Sequence, residues 1–302
     1  SEMCIRDSLK IVDFLNARAR ENQWGFVDFN RPMVAINQWE QAADSMYTLC
    51  GKDRIHPSTD GHLVMAYLFL KAQGLAGKLV ADIRIDGAGK KVTRSDNCRV
   101  SDLSVSSDNL TFTYEAKSLP YPIDTSYYDN EKHTQADALS VIPFMDEMNY
   151  EGLSVSGLSD GYYGLTIGGE FIGRFTAREL ERGINMALLQ NTPQYKQAMK
   201  IRQMNEERWL KERKMREFYW VEYNLMRKTG MLWACNEAAV DTLRKYRPHD
   251  IFLQWNGDLW LQYMHKGIRE DCVNEQQDLV NQIYEQNKPI PLRIEIKKFT
   301  DL

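Results

Sequence analysis

Gly51-Lys52-Asp53-Arg54-Ile55-His56-Pro57-Ser58-Thr59-Asp60-Gly61-His62 runs directly into the apolar stretch Leu63-Val64-Met65-Ala66-Tyr67-Leu68-Phe69-Leu70. An Asp three residues before a His, with a proline fixing the chain beside it, puts a carboxylate and an imidazole on one tight turn within reach of each other. Such a pair is two thirds of a catalytic triad. The imidazole takes the proton of a hydroxyl that is otherwise a poor nucleophile, and the carboxylate fixes its tautomer and stabilises the cation that forms. His56 is the candidate base and Asp53 the candidate orienting acid. An isolated Asp-x-x-His is better explained as a surface turn in which the Asp caps the backbone and the His merely packs. Pro57, Gly61 and the apolar helix expected over 63–73 tip the reading toward catalysis.

Upstream of this stretch, Ile11, Val12, Leu15 and Ala19 share one helical face opposite Lys10, Asp13, Arg20 and Glu21, which predicts an amphipathic helix over Leu9 to Gln23 with a buried stripe. Phe26-Val27-Asp28-Phe29 reads as a short strand after Gly25, and Met33 to Thr48 as a second, weaker helix. Helix, strand, helix, acid–base turn and closing helix is the expected end of a three-layer α/β domain.

The Asp-x-x-His-Pro block, the following Gly61 and its apolar helix resemble the last sequence block of the SGNH (GDSL-like) serine hydrolases. In that family the pair serves a serine carried near the start of the domain, and no matching start is found here. The resemblance therefore implies the C-terminal part of a serine ester hydrolase, with acyl-enzyme chemistry, a small-molecule or carbohydrate ester as substrate, deacetylation as the guessed reaction and no cofactor. It also implies a secreted or periplasmic location. With its nucleophile absent, this chain alone is expected to be inactive. The rival expectation is a non-catalytic binding or assembly module of a bacterial protein.

Two serines are candidates for the missing role. Asp7-Ser8-Leu9 echoes Gly-Asp-Ser-Leu, but Arg6 replaces the glycine, no β-rich run precedes it, and too little chain separates Ser8 from Asp53 to hold most of an α/β domain. Gly157-Leu158-Ser159-Asp160-Gly161 matches Gly-x-Ser-x-Gly, yet a nucleophile elbow needs a helix directly after it and Tyr162 to Ile167 reads as a strand. Both are set aside. Ser159 reads as part of a β-turn.

Downstream, alternating segments from Leu79 to about Ile172 (Val80–Ile85, Leu110–Tyr114, Leu153–Val155, Tyr163–Ile167), separated by Asp-Gly and Ser-Asp-Asn turns, predict a small antiparallel sheet or sandwich. Ser118 to Pro122 breaks that pattern as a loop or an edge. Thr176-Ala177-Arg178-Glu179 is a capping box opening a helix toward Asn191, and Pro193 starts a longer one reaching about Met226. The rest is read as helical to Asn287, where Pro289-Ile290-Pro291 ends it. Leu153-x-Val155-x-Gly157-Leu158, Gly183-Ile184-Asn185 and Asn191-Thr192-Pro193-Gln194 look like the C-terminal extension of a bacterial group of SGNH-type proteins.

The expected fold class is thus α/β: the C-terminal remnant of a three-layer SGNH-like domain over 1–78, a β-rich module over 79–172 and a helical region over 173–302. A chain of 302 residues with 43% apolar and 26% charged residues reads as globular. A net charge of -4 gives no reason to expect nucleic acid. No window approaches the roughly 18 consecutive apolar residues of a membrane span. Cys4, Cys50, Cys98, Cys235 and Cys272 lack CxxC spacing, and His133, His249 and His265 lack ligand spacing, so no metal is assigned and unpaired thiols are expected. His62 is read as structural. The first eight residues resemble a translated adapter remnant rather than native sequence. The basic run over 196–214 alternates with Glu206, Glu207 and Glu212 as a solvated helix does, and Trp209, Tyr219, Trp220, Tyr223 and Trp233 are read as packing between helices rather than as a carbohydrate platform.

Overall fold

The computed structural model describes residues 2–51, 53–126 and 133–299, with side chains from Ser8 onward. The side chains preceding Ser8, that of Cys4 among them, lie outside the description. The chain forms two compact units, one of residues 1–196 with 289–302 and one of residues 197–288.

The first unit opens with helices α1 (Glu2–Asn22) and α2 (Asn30–Glu40), and α3 (Thr59–Ala72) follows the acid–base turn. The strand expected at Phe26–Phe29 is not formed. A strand needs a neighbour to satisfy its backbone groups, and none of the described residues offers one there. The second helix is also shorter than Met33–Thr48, giving way to turns at Gln41. Of the predicted stripe on α1, Ala19 is buried whereas Ile11 and Leu15 are exposed. Helix α3 buries Leu63, Val64 and Tyr67 against Leu49, Ile123, Ile142, Phe144 and Met145. The last two lie on the single-turn helix α4 (Phe144–Glu147).

The same unit contains a β-sandwich. Strands β1 (Ala81–Asp86) and β2 (Lys91–Asp96) pair antiparallel, and β1 pairs in parallel with β5 (Glu151–Ser156). The second sheet contains β3 (Cys98–Val105), β4 (Asn109–Ala116), β6 (Tyr162–Ile167) and β7 (Glu170–Thr176). Its middle strand, β9 (Leu292–Lys298), pairs antiparallel with both β4 and β6. The helical reading of 173–302 thus stops short: the segment after Pro291 is a strand, and a central one. Its alternation is strict, with Leu292, Ile294 and Ile296 buried, and each contributes roughly 1.5–3 kcal/mol of burial. Ile83 and Ile85 of one sheet meet Phe112, Leu165 and Ile294 of the other in one core.

Thr176 and Glu179 form the capping box of α5 (Ala177–Arg182), each side chain bonding the other's backbone N–H. That helix does not continue toward Asn191. Gly183, at φ +94°, turns the chain into β8 (Ile184–Asn185), which completes the first sheet beside β5.

A fully buried carboxyl sits at the start of β5. Glu151 accepts hydrogen bonds from Tyr114 Oη at 2.8 Å and Gln194 Nε2 at 3.2 Å, while Oε2 has no partner among the described residues. Burial outweighs both bonds and raises its pKa to about 7 from 4.5. Between those values the folded chain holds a proton that the unfolded chain has released. Stability is therefore full below the lower value and falls as pH rises through the upper one, by at most about 3 kcal/mol. Glu151→Gln keeps the shape without ionising. The stability of the native chain relative to this variant, from urea unfolding, is expected to drop between about pH 5 and about pH 8, and a flat difference would contradict the assignment.

The second unit is helical: α6 (Pro193–Val221) from Gln197 onward, a π-helical turn at Glu222–Met226, α7 (Glu237–Tyr246), α8 (Ile251–Tyr263) and α9 (Lys266–Gln286). Asn236 and Asp250 cap α7 and α8. Phe218 and Trp260 are the large aromatics of its core. Of the aromatics assigned to packing, Trp220 is partly buried against that core, but Trp209, Tyr219, Tyr223 and Trp233 are exposed. Pairs such as Arg202–Glu206 and Arg213–Glu217 lace the surface of α6.

Candidate active site

The acid–base turn is clipped at its base. Gly51 N–H donates to His56 O at 2.8 Å, Ser58 N–H to Leu49 O at 3.0 Å, and Cys50 and Pro57 form an isolated antiparallel bridge. Within the loop so closed, Arg54 adopts a left-handed φ of +56°. Asp53 Oδ1 accepts the backbone N–H groups of Ile55 at 2.9 Å and His56 at 3.1 Å, which leaves Oδ2 aimed at the imidazole. His56 Nδ1 lies 2.5 Å from Oδ2. The hydrogen bond from His56, then those from the two backbone N–H groups, hold the Asp53 carboxyl down to about 2. Its negative charge is therefore present throughout the neutral range.

The sequence pairing of Asp53 with His56 is met as a direct contact. Nδ1 is engaged by the carboxylate, so Nε2 is the nitrogen presented outward, with no hydrogen bond from a described residue. The imidazole side chain is 83% exposed and that of Asp53 47%. No described serine is hydrogen-bonded to this imidazole. Ser8 lies in α1. Ser159 lies in the link between β5 and β6, where its Oγ is 3.1 Å from Tyr163 Oη and accepts from Lys298 Nζ at 2.8 Å, and no helix follows it.

Behind the exposed pair stands a buried polar layer. Asp60, 1% exposed, accepts the Ser58 hydroxyl and, at 2.8 Å, the Gly61 N–H. His133 Nδ1 lies 3.5 Å from its other oxygen. This layer holds the first turn of α3 against the strand-like segment at Leu49. Reading the sequence missed the Asp60–His133 contact, because nothing local links residues so far apart in the chain. His62 is exposed and takes no part. Cys50, Cys98, Cys235 and Cys272 are free thiols, and no group of three or more potential ligands converges among the described residues.

Residues 199–288 match the family described as the diltiazem deacetylase C-terminal helical domain. A solved structure described as a gut microbial diltiazem-metabolizing enzyme is similar over 96% of this chain, at 41% identity and a TM-score of 0.89. The chain shares that enzyme's mixed α/β fold. It spans 66% of that protein's length. No curated protein matches the chain. No described helix is long and apolar enough to cross a membrane.

Proposed function

We propose that this chain carries the acid–base pair of an SGNH-type serine ester hydrolase whose nucleophile is supplied by a segment outside the sequence given. The observation that carries the reading is the Asp53–His56 contact at 2.5 Å, with Nε2 directed outward from a backbone-clipped turn. The likeness to a diltiazem-metabolizing enzyme and to a deacetylase domain supports an ester substrate and an acetyl group as the one removed, and favours the enzyme over a purely binding module.

In this reading His56 Nε2 accepts the serine hydroxyl proton as the oxygen attacks the acetyl carbonyl. Asp53 accepts the Nδ1–H bond and stabilises the imidazolium. The imidazolium then returns its proton to the departing alcohol, and a water, deprotonated in turn by Nε2, releases acetate.

The large apolar side chains that the first unit leaves in water between Phe14 and Ile55 support an additional covering segment. Trp24, Trp39 and Ile55 are 65%, 79% and 74% exposed, and Phe14 and Met46 are exposed with them. Large apolar side chains left in water are what a further element of the fold would cover. The test begins with the coding sequence upstream of Leu9, where a strand ending in Gly-Asp-Ser is expected. Chain and segment co-expressed should hydrolyse p-nitrophenyl acetate, whereas this chain alone should show no turnover above its His56→Ala background. Turnover by this chain alone that survives His56→Ala would overturn the assignment.

A further inference from the structure

The helical unit departs from economical helix packing at one place in three ways. Helix α6 widens into the π-turn at Glu222–Met226, a feature that costs helical hydrogen-bond geometry and recurs at functional sites. The Glu222 carboxylate is 1% exposed and accepts Trp260 Nε1–H and the Trp233 backbone N–H, each at 2.8 Å. Trp233, a bulky residue, is held at a left-handed φ of +63°. Glu222 thus pins the π-turn to two other segments of the unit.

On the π-turn opens a cavity of about 350 Å³, the size of a small-ligand site. Leu225 and Leu253 are its buried apolar residues, and Trp220 and Tyr246 are its aromatic ones. The polar side chains around it divide by whether their hydrogen bonds are already made. Asn224 donates to Trp220 O, Thr229 donates to Leu225 O, and Asp250 caps α8 through the N–H groups of Phe252 and Leu253. Lys228 and His249 make no side-chain hydrogen bond or ion pair among the described residues. The side chains around it with no partner among the described residues are therefore a cation and an imidazole beside aromatic faces, while Asp250 keeps Oδ2 outside its cap.

We infer that this cavity binds a flat aromatic ligand bearing an anionic group, the ring against Trp220 and Tyr246 and the anion at Lys228. The site lies wholly within the helical unit and does not depend on the esterase reading. Titrating the full chain with 2-naphthoate by isothermal calorimetry is expected to give saturable binding of one molecule per chain. The matched cation, 2-naphthylmethylamine, should bind at least about tenfold more weakly, as should 2-naphthoate to Lys228→Glu. Lys228 is exposed, so this variant should retain its fold, checked by circular dichroism. Asn224→Trp, from an exposed position, should fill the cavity and abolish binding. The inference is overturned if 2-naphthoate shows no saturable binding, if the amine binds equally well, or if both variants bind like the native chain. The last outcome would place the ligand on another apolar surface.

Discussion

On the proposed function, His56→Ala, made in this chain together with the nucleophile segment that reading calls for, is expected to lower kcat for ester hydrolysis by roughly ten-thousandfold while changing KM little. The hydroxyl then has no base, and only substrate binding and oxyanion stabilisation remain to accelerate the reaction. Asp53→Asn should fall nearly as far, for a reason the geometry supplies. Asp53 Oδ1 is already occupied by the N–H groups of Ile55 and His56. An amide keeping those bonds must turn its NH₂ toward Nδ1, which forces Nδ1 to accept and places the ring proton on Nε2, where it cannot take another. Steady-state kinetics on p-nitrophenyl acetate measure both losses, and either variant retaining more than about a tenth of the native kcat would remove its residue from the catalytic role.

Gly61→Ala is expected to destabilise the first unit by about 3 kcal/mol or more and to disassemble the acid–base turn with it. A Cβ on Gly61 would stand 2.0 Å from Leu49 O and 3.1 Å from Leu49 C, both backbone atoms. Leu49 cannot withdraw, since its side chain is fully buried in the core and its carbonyl accepts both the N–H and the hydroxyl of Ser58 at 3.0 Å. The clip at the base of the turn is therefore what must move. Gly51 provides the control: its nearest contact for an added Cβ is His56 O at 3.8 Å, so Gly51→Ala should lose less than about 1 kcal/mol. Urea unfolding of the two variants compares them directly, and equal midpoints would show that the close approach carries no weight.

The requirement at Gly61 also bears on how the turn could be read in advance. Asp53, His56, Pro57 and Gly61 lie within nine residues, and every bond that shapes the pair, from the backbone N–H groups of Ile55 and His56 to the carboxylate–imidazole contact, is local in the chain. Local chemistry leaves a local signature. The same is true of the Thr176–Glu179 capping box and of Pro193 opening α6, where one side chain decides where a helix begins.

Other features had no such signature. Leu292, Ile294 and Ile296 alternate as a strand should, but the place of β9 between β4 and β6 is set by pairing with residues such as Phe112 and Leu165, brought from far along the chain. Phe26–Phe29 has strand-forming residues and no strand, because a strand is satisfied only by a neighbour. The Asp60–His133 contact and the Glu222 bonds to Trp260 and Trp233 likewise join distant residues through burial. The sequence by itself determined the Asp53–His56 contact, the helix starts and the mixed α/β character, since those follow from interactions within a few residues. Only the tertiary structure decided the order of the sandwich strands, the exposure of His56 and the cavity at the π-turn, since these depend on which surfaces meet after the chain has folded back on itself.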